Sequence, residues 1–174
     1  MLKEDKIRFL KMAISCLRKG DDKRPIFSPD VPTDEDVEII KKSLETGNIE
    51  ENMLKRFFPI AYKGVSEYGF FEYFFSIHNM NIGMLEKYTK DKLVDWCTAF
   101  PGKIVDRKES KWVVERYDGK RIISDSEAYP GITIEKELKI GDFVILHRDK
   151  IHMVLNKDEF ETALKFYNKF RNEK

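Results

Sequence analysis

The sequence predicts an α+β protein, with a helical N-terminal region over residues 1–92 and a small β-barrel with a C-terminal helix over residues 93–174. Three observations lead there. Apolar residues of the first half recur at three- and four-residue steps. From about Asp95 onward, short β-rich runs alternate with turn residues. The last apolar stripe, Phe160, Ala163, Leu164, Tyr167 and Phe170, returns to helical spacing.

The first helix is carried by Leu2, Ile7, Phe9, Leu10, Ala13, Ile14 and Leu17 and is expected to stop at Gly20. A loop with Pro25, Pro29 and Pro32 follows. Thr33 has the chemistry of an N-cap, with Asp36 three residues on. Val37, Ile39, Ile40 and Leu44 form that helix's apolar side, and Gly47 ends it. A third helix is expected to start near Asn48 with Glu51 as its capping-box partner, and to end or kink at Pro59. Between Gly64 and Tyr88 the aromatic run Tyr68–Phe75 lacks a clean period and reads as helix followed by loop.

The β-rich runs fall at residues 95–100, 103–107, 111–116, 121–124, 132–138, 142–148 and 151–155. Asp118-Gly119 is the favoured pair for a two-residue hairpin turn, where both central residues take positive φ. Runs this short and evenly spaced favour a closed barrel over an open sheet. Trp96 and Trp112 are expected to flank it, and Asn156 with Glu159 to cap the last helix.

Composition narrows the function classes. The 174 residues carry 32 Lys plus Arg against 31 Asp plus Glu, so no overall basic field points to nucleic acid. The chain opens Met1-Leu2-Lys3-Glu4-Asp5-Lys6, with charges where a secretory signal needs an apolar run, and no apolar stretch is long enough for a membrane span. A cytoplasmic protein without nucleic-acid or membrane partners is the expectation, and there a Cys16–Cys97 disulfide is not expected. Cys16, on the apolar side of the first helix, reads as core.

Candidate chemistry is sparse. No P-loop, Cys-x-x-Cys, His-x-x-x-His or Gly-x-Gly-x-x-Gly pattern occurs. The three histidines are His78, His147 and His152, of which His152 reads as structural. Two segments stand apart: Cys97-Thr98-Ala99-Phe100-Pro101-Gly102-Lys103, and Gly141-Asp142-Phe143-Val144-Ile145-Leu146-His147. Cys97 and His147 are the candidate metal- or partner-binding residues, with His78, Pro101 and Gly102 as additional candidates. A thiolate is a soft ligand suited to low-spin iron, and imidazole is a common second donor.

These two segments and the helix after Asn156 resemble the HypC/HupF family of hydrogenase maturation chaperones. In that family a Cys-x-x-x-Pro-Gly-Lys/Gln opening starts an OB-like barrel, a Gly-Asp-(aromatic)-Val-x-x-His strand comes late in it, and a helix closes the domain. The resemblance covers roughly residues 95–172, less than half of the chain. It implies a non-enzymatic accessory protein in the assembly of a nickel–iron hydrogenase metal centre. By that resemblance Cys97 and His147 serve a transient iron fragment, and the partner is a maturation protein or a hydrogenase subunit. Family members carry the cysteine directly after the initiator Met, whereas here 96 residues precede it. Two other readings stand beside this one. The chain is an interaction module that uses its aromatic helical half, with the barrel as scaffold only, or an enzyme with a pocket between the halves lined by His78 and His147.

Overall fold

The computed structural model describes residues 1–17, 30–89, 97–128 and 132–172. The expected stop at Gly20, Pro25 and Pro29 of the first loop, and Asp95 and Trp96 lie outside the described residues.

Local signals placed most of the helices. Helix α1 spans Lys3–Ala13 and tightens into a 3₁₀ turn, Ile14–Cys16. Helix α2, Asp34–Thr46, begins with a reciprocal capping box between Thr33 and Asp36 and ends at Gly47, whose φ is +66°. Helix α3 runs Glu51–Phe57, one turn shorter than expected, and Glu50 precedes it without a side-chain cap. The reason is that Glu51 is engaged elsewhere: its carboxylate accepts a 2.6 Å hydrogen bond from the Tyr62 hydroxyl. Pro59 opens a separate helix, α4, Pro59–Tyr68, where its missing N–H costs nothing.

The aromatic segment departs from expectation. After Gly69, at φ +79°, the chain is helical to Thr89: α5 (Phe70–Glu72), a π-helical stretch (Tyr73–His78) and α6 (Asn79–Thr89). The expected loop is absent. Wide π turns rotate successive aromatics off a 3.6-residue period, which is why no clean period showed in the sequence. Phe70, Tyr73, Phe74 and Phe75 are all buried. Gly64 permits the close crossing of α4, because a Cβ there would lie 2.0 Å from the Tyr73 ring.

The second half is a five-stranded antiparallel sheet in the order β3-β2-β1-β6-β7. Its strands are β1 (Phe100–Lys108), β2 (Lys111–Arg116), β3 (Arg121–Ser124), β6 (Phe143–His147) and β7 (Lys150–Leu155). The chain is therefore α+β as expected, but the sheet does not close into a barrel. Edge strands β3 and β7 form no ladder; Asp125, the residue after β3, makes an isolated parallel bridge with Lys150 at the start of β7. The run at 132–138, needed as a closing strand, contributes only β5 (Ile132–Thr133), which pairs with β4 (Glu127–Ala128) in a separate two-stranded piece. The first two runs are also redrawn: residues 97–99 are not strand, and β1 is one strand through Pro101 and Gly102.

The turns differ in kind. At Asp118-Gly119 only Gly119 has positive φ, +84°, and the Asp118 carboxylate accepts instead from the Lys120 N–H and from Arg116. The two-residue turn with both positions at positive φ is Arg148-Asp149, at 53° and 57°, between β6 and β7. Neither residue is glycine, so this turn carries backbone strain.

Helix α7, Lys157–Asn172, starts at the Asn156–Glu159 box and packs Ala163, Tyr167 and Phe170 inward. One hydrophobic core runs from Phe9 and Ile40 through Phe74 to Val144, Ile151 and Phe170, so the helical and sheet regions share it. Trp112 is half-buried beneath the Arg107 guanidinium, 4.9 Å from the ring. Among the described residues, no helix is long and apolar enough to cross a membrane.

Candidate functional site

All three histidines of the chain meet between α1, the π-helical stretch and the β6–β7 hairpin. The His147 ring lies 5.5 Å from that of His78 and 5.5 Å from that of His152, centre to centre. All three are buried. His78 arrives at the last position of the π stretch, and His147 at the last position of β6. His152 arrives through a β-bulge: Ile145 pairs with Met153 and Leu146 with Ile151, leaving His152 as the extra residue. Simple alternation would send His152 and Met153 to opposite faces. The bulge breaks it, and Ile151, His152 and Met153 are all buried.

The end of α1 supplies the polar partners. A helix terminus leaves carbonyls without intrahelical donors, and here the hairpin provides donors. His147 Nδ1 is 3.3 Å from the Met12 carbonyl and His152 Nδ1 is 2.5 Å from the Lys11 carbonyl. The Arg148 guanidinium donates to the Ser15 carbonyl. These contacts define the tautomer of His147. With Nδ1–H donating to Met12, His147 Nε2 keeps its lone pair, which faces Cys16 Sγ at 3.9 Å. Both His152 nitrogens face carbonyl oxygens, Nδ1 that of Lys11 and Nε2 that of His147 at 3.0 Å, with the Ser15 hydroxyl also 3.1 Å from Nε2.

Burial keeps the cluster neutral. It lowers His78 and His152 to about 4, and it holds His147 well below the usual histidine value, with the nearby His152, His78 and Arg148 adding to the effect. The Cys16 thiol is pushed up by burial, while Arg148 opposes this through its charge and a hydrogen bond. Ala13, Cys16, Phe58, Ala61, Tyr73, Phe74 and His78 line a cavity of about 10 Å³, close to the smallest that holds one water.

The two motifs lie side by side. In the β1–β6 ladder Phe100 pairs with Leu146, Pro101 with Ile145, Gly102 with Val144 and Lys103 with Phe143. Cys97 thus lies three residues before β1, on the side of the ladder where His147 ends β6. Cys97 is buried, with its segment held by Asn79: Ala99 exchanges two hydrogen bonds with the Asn79 amide, at 2.9 and 3.0 Å. Pro101 and Gly102 are buried within β1, and a Cβ on Gly102 would sit 2.9 Å from Val114 Cγ1. Gly141 turns the chain at φ +99° and the Asp142 carboxylate accepts from the Lys139 N–H, so the second motif's opening pair also shapes backbone.

Of the candidates, His78 and His147 are brought into direct ring contact. Sequence reasoning missed Cys16, His152, Arg148 and Asn79. Cys16, read as core, is half-buried beside His147. Among the described residues, no group of three or more His, Cys, Asp or Glu side chains is placed to hold a metal ion. No protein-family model matches the chain, and no curated protein matches it.

Proposed function

We propose that this chain is a HypC-like accessory protein that works by binding, in the assembly of a metal centre, with Cys97 and His147 as its binding residues. The observation that carries this reading is the β1–β6 register, which lays the Cys97–Lys103 and Gly141–His147 segments against each other. A helix following the last strand and packed on the sheet adds to it. The cargo would be an iron fragment, and the partner a maturation protein or a hydrogenase subunit. Because His147 is buried under the end of α1, cargo transfer through it requires the Lys11–Cys16 segment to shift. For the alternative of an aromatic docking surface on the helical half, the run Tyr68–Phe75 offers the exposed Tyr68 alone, since Phe70, Phe71, Tyr73, Phe74 and Phe75 pack into or against the core.

Anaerobic affinity purification from the native host tests the proposal, with wild type beside Cys97→Ala. The wild type is expected to bring down a maturation partner, or to show infrared bands of iron-bound cyanide and carbonyl, and the variant neither. Identical, iron-free behaviour of the two proteins would remove the reading.

A further inference from the structure

The two edges of the five-stranded sheet are finished differently. At one edge α1 packs against β7. At the other, no strand pairs with the outer side of β3 among the described residues. The ladder fixes which groups face outward there. The Arg116 N–H donates to the Lys120 carbonyl at 2.8 Å, and opposite pairs in an antiparallel ladder alternate between bonded and unbonded. Val114–Ile122 and Trp112–Ser124 are therefore bonded pairs, whereas Arg121 and Ile123 turn their N–H and C=O groups away from β2. Beyond the strand the edge is already closed: the Asp125 carbonyl accepts from the Ile151 N–H at 2.8 Å.

Side chains leave this edge unguarded. Sheet edges are ordinarily protected by charges, proline or bulges. Arg121, the one charged residue within β3, turns back onto Glu115 at 2.8 Å. Ile123 is 56% exposed and lines a groove with Val105 and Val113.

Charge selects what fits. Around the start of β3 stand Arg116, Lys120 and Arg121 against Glu115 and Asp118. Around its end stand Asp125, Glu127 and Asp149 against Lys111 and Lys150. The start is thus net positive and the end net negative. An antiparallel copy of the same strand sets each end against its opposite, and a parallel one sets like against like.

We propose that β3 pairs antiparallel with β3 of a second copy of this chain, across a two-fold axis at Ile122. Arg121 of each copy then lies opposite Ile123 of the other, and both pairs exchange backbone hydrogen bonds. Ile122 meets its own symmetry mate at an unbonded position, where side chains come closest. Because the ladder stops where Asp125 turns to β7, the contact is small and the dimer weak and reversible. This pairing does not rest on the function proposed above.

The test is sedimentation velocity of the reduced full-length chain from micromolar to millimolar concentration, with amide hydrogen exchange read by NMR over the same range. The sedimentation coefficient is expected to rise toward that of a dimer, and exchange at the Arg121 and Ile123 amides to slow in step. Ile123→Pro removes an outward N–H and leaves the bonds to β2 in place, and Ile123→Lys puts a charge on the edge. Each should weaken association on the order of tenfold or more, since two-fold symmetry applies every change twice. Circular dichroism separates loss of pairing from loss of fold, and the wild-type exchange data need no variant. A monomer at every concentration overturns the proposal and leaves the edge to a strand from another protein. A dimer that persists in folded Ile123→Pro, or that forms without protecting these two amides, overturns it as well.

Discussion

Asn79 and Ala99 exchange a pair of hydrogen bonds: the Asn79 amide Nδ2 donates to the Ala99 carbonyl at 3.0 Å, and its Oδ1 accepts from the Ala99 N–H at 2.9 Å. The same Nδ2 also donates to the Phe75 carbonyl, at 3.1 Å. One buried side chain thus ties the π-helical stretch to the segment that leads from Cys97 into β1. Truncation strands several buried backbone groups at once. Asn79→Ala is expected to cost about 3 kcal/mol, read as a lowered urea midpoint. An unchanged midpoint would mean that water replaces the amide without loss.

The three buried histidines make stability depend on acid. Their folded-state values lie below the ordinary value of 6.5, at about 4 for His78 and His152 and well below 6.5 for His147. Below pH 6.5 the unfolded chain therefore takes up protons that the folded chain refuses, and stability falls as pH falls. The loss runs from about pH 6.5 down to about 4, where His78 and His152 also protonate in the folded state; it amounts to roughly 3 kcal/mol for each of these two. Urea unfolding at pH 7 and pH 5 checks this. His152→Gln should flatten the dependence, and equal midpoints for wild type at the two pH values would contradict neutral, buried rings.

The Arg148-Asp149 turn predicts opposite effects from adjacent substitutions. Asp149 sits at φ 57° and its carbonyl, not its side chain, accepts the 2.8 Å hydrogen bond from Ser124. Asp149→Gly should raise stability by about 1 kcal/mol by relieving the left-handed backbone. Arg148→Ala should lower it by about 2 kcal/mol, because the Ser15 carbonyl loses a charged donor. Thermal melts of the two variants decide the matter, and shifts of the same sign would show that the turn's strain is not the governing term.

Gly102 separates a structural motif residue from a binding one. A methyl group there would sit 2.9 Å from Val114 Cγ1 and 3.0 Å from the Glu115 carbonyl oxygen, so β2 must move away from β1. Gly102→Ala is expected to destabilise the fold by about 2 kcal/mol. Gly64→Ala, facing the Tyr73 ring at 2.0 Å, should cost more. If Gly102→Ala melts like wild type yet loses partner capture, the Pro101-Gly102 pair acts in recognition instead of packing.

What the sequence by itself determined was local. The Thr33–Asp36 and Asn156–Glu159 boxes, the Gly47 stop and strands β2 and β3 were legible because each is decided by residues within a few positions of one another. The α3 start was misplaced for a tertiary reason, since Glu51 hydrogen-bonds to Tyr62 on another helix. Tertiary structure alone decided whether the sheet closes, because that depends on whether residues 132–138 find a place beside β3 or β7, and only two of them pair, with β4. It alone decided the site as well. Cys16 and His147 are 131 positions apart, and no periodicity reports such a contact. His152 joined them through a bulge, a one-residue shift of register that leaves no mark in the pattern of apolar and polar residues.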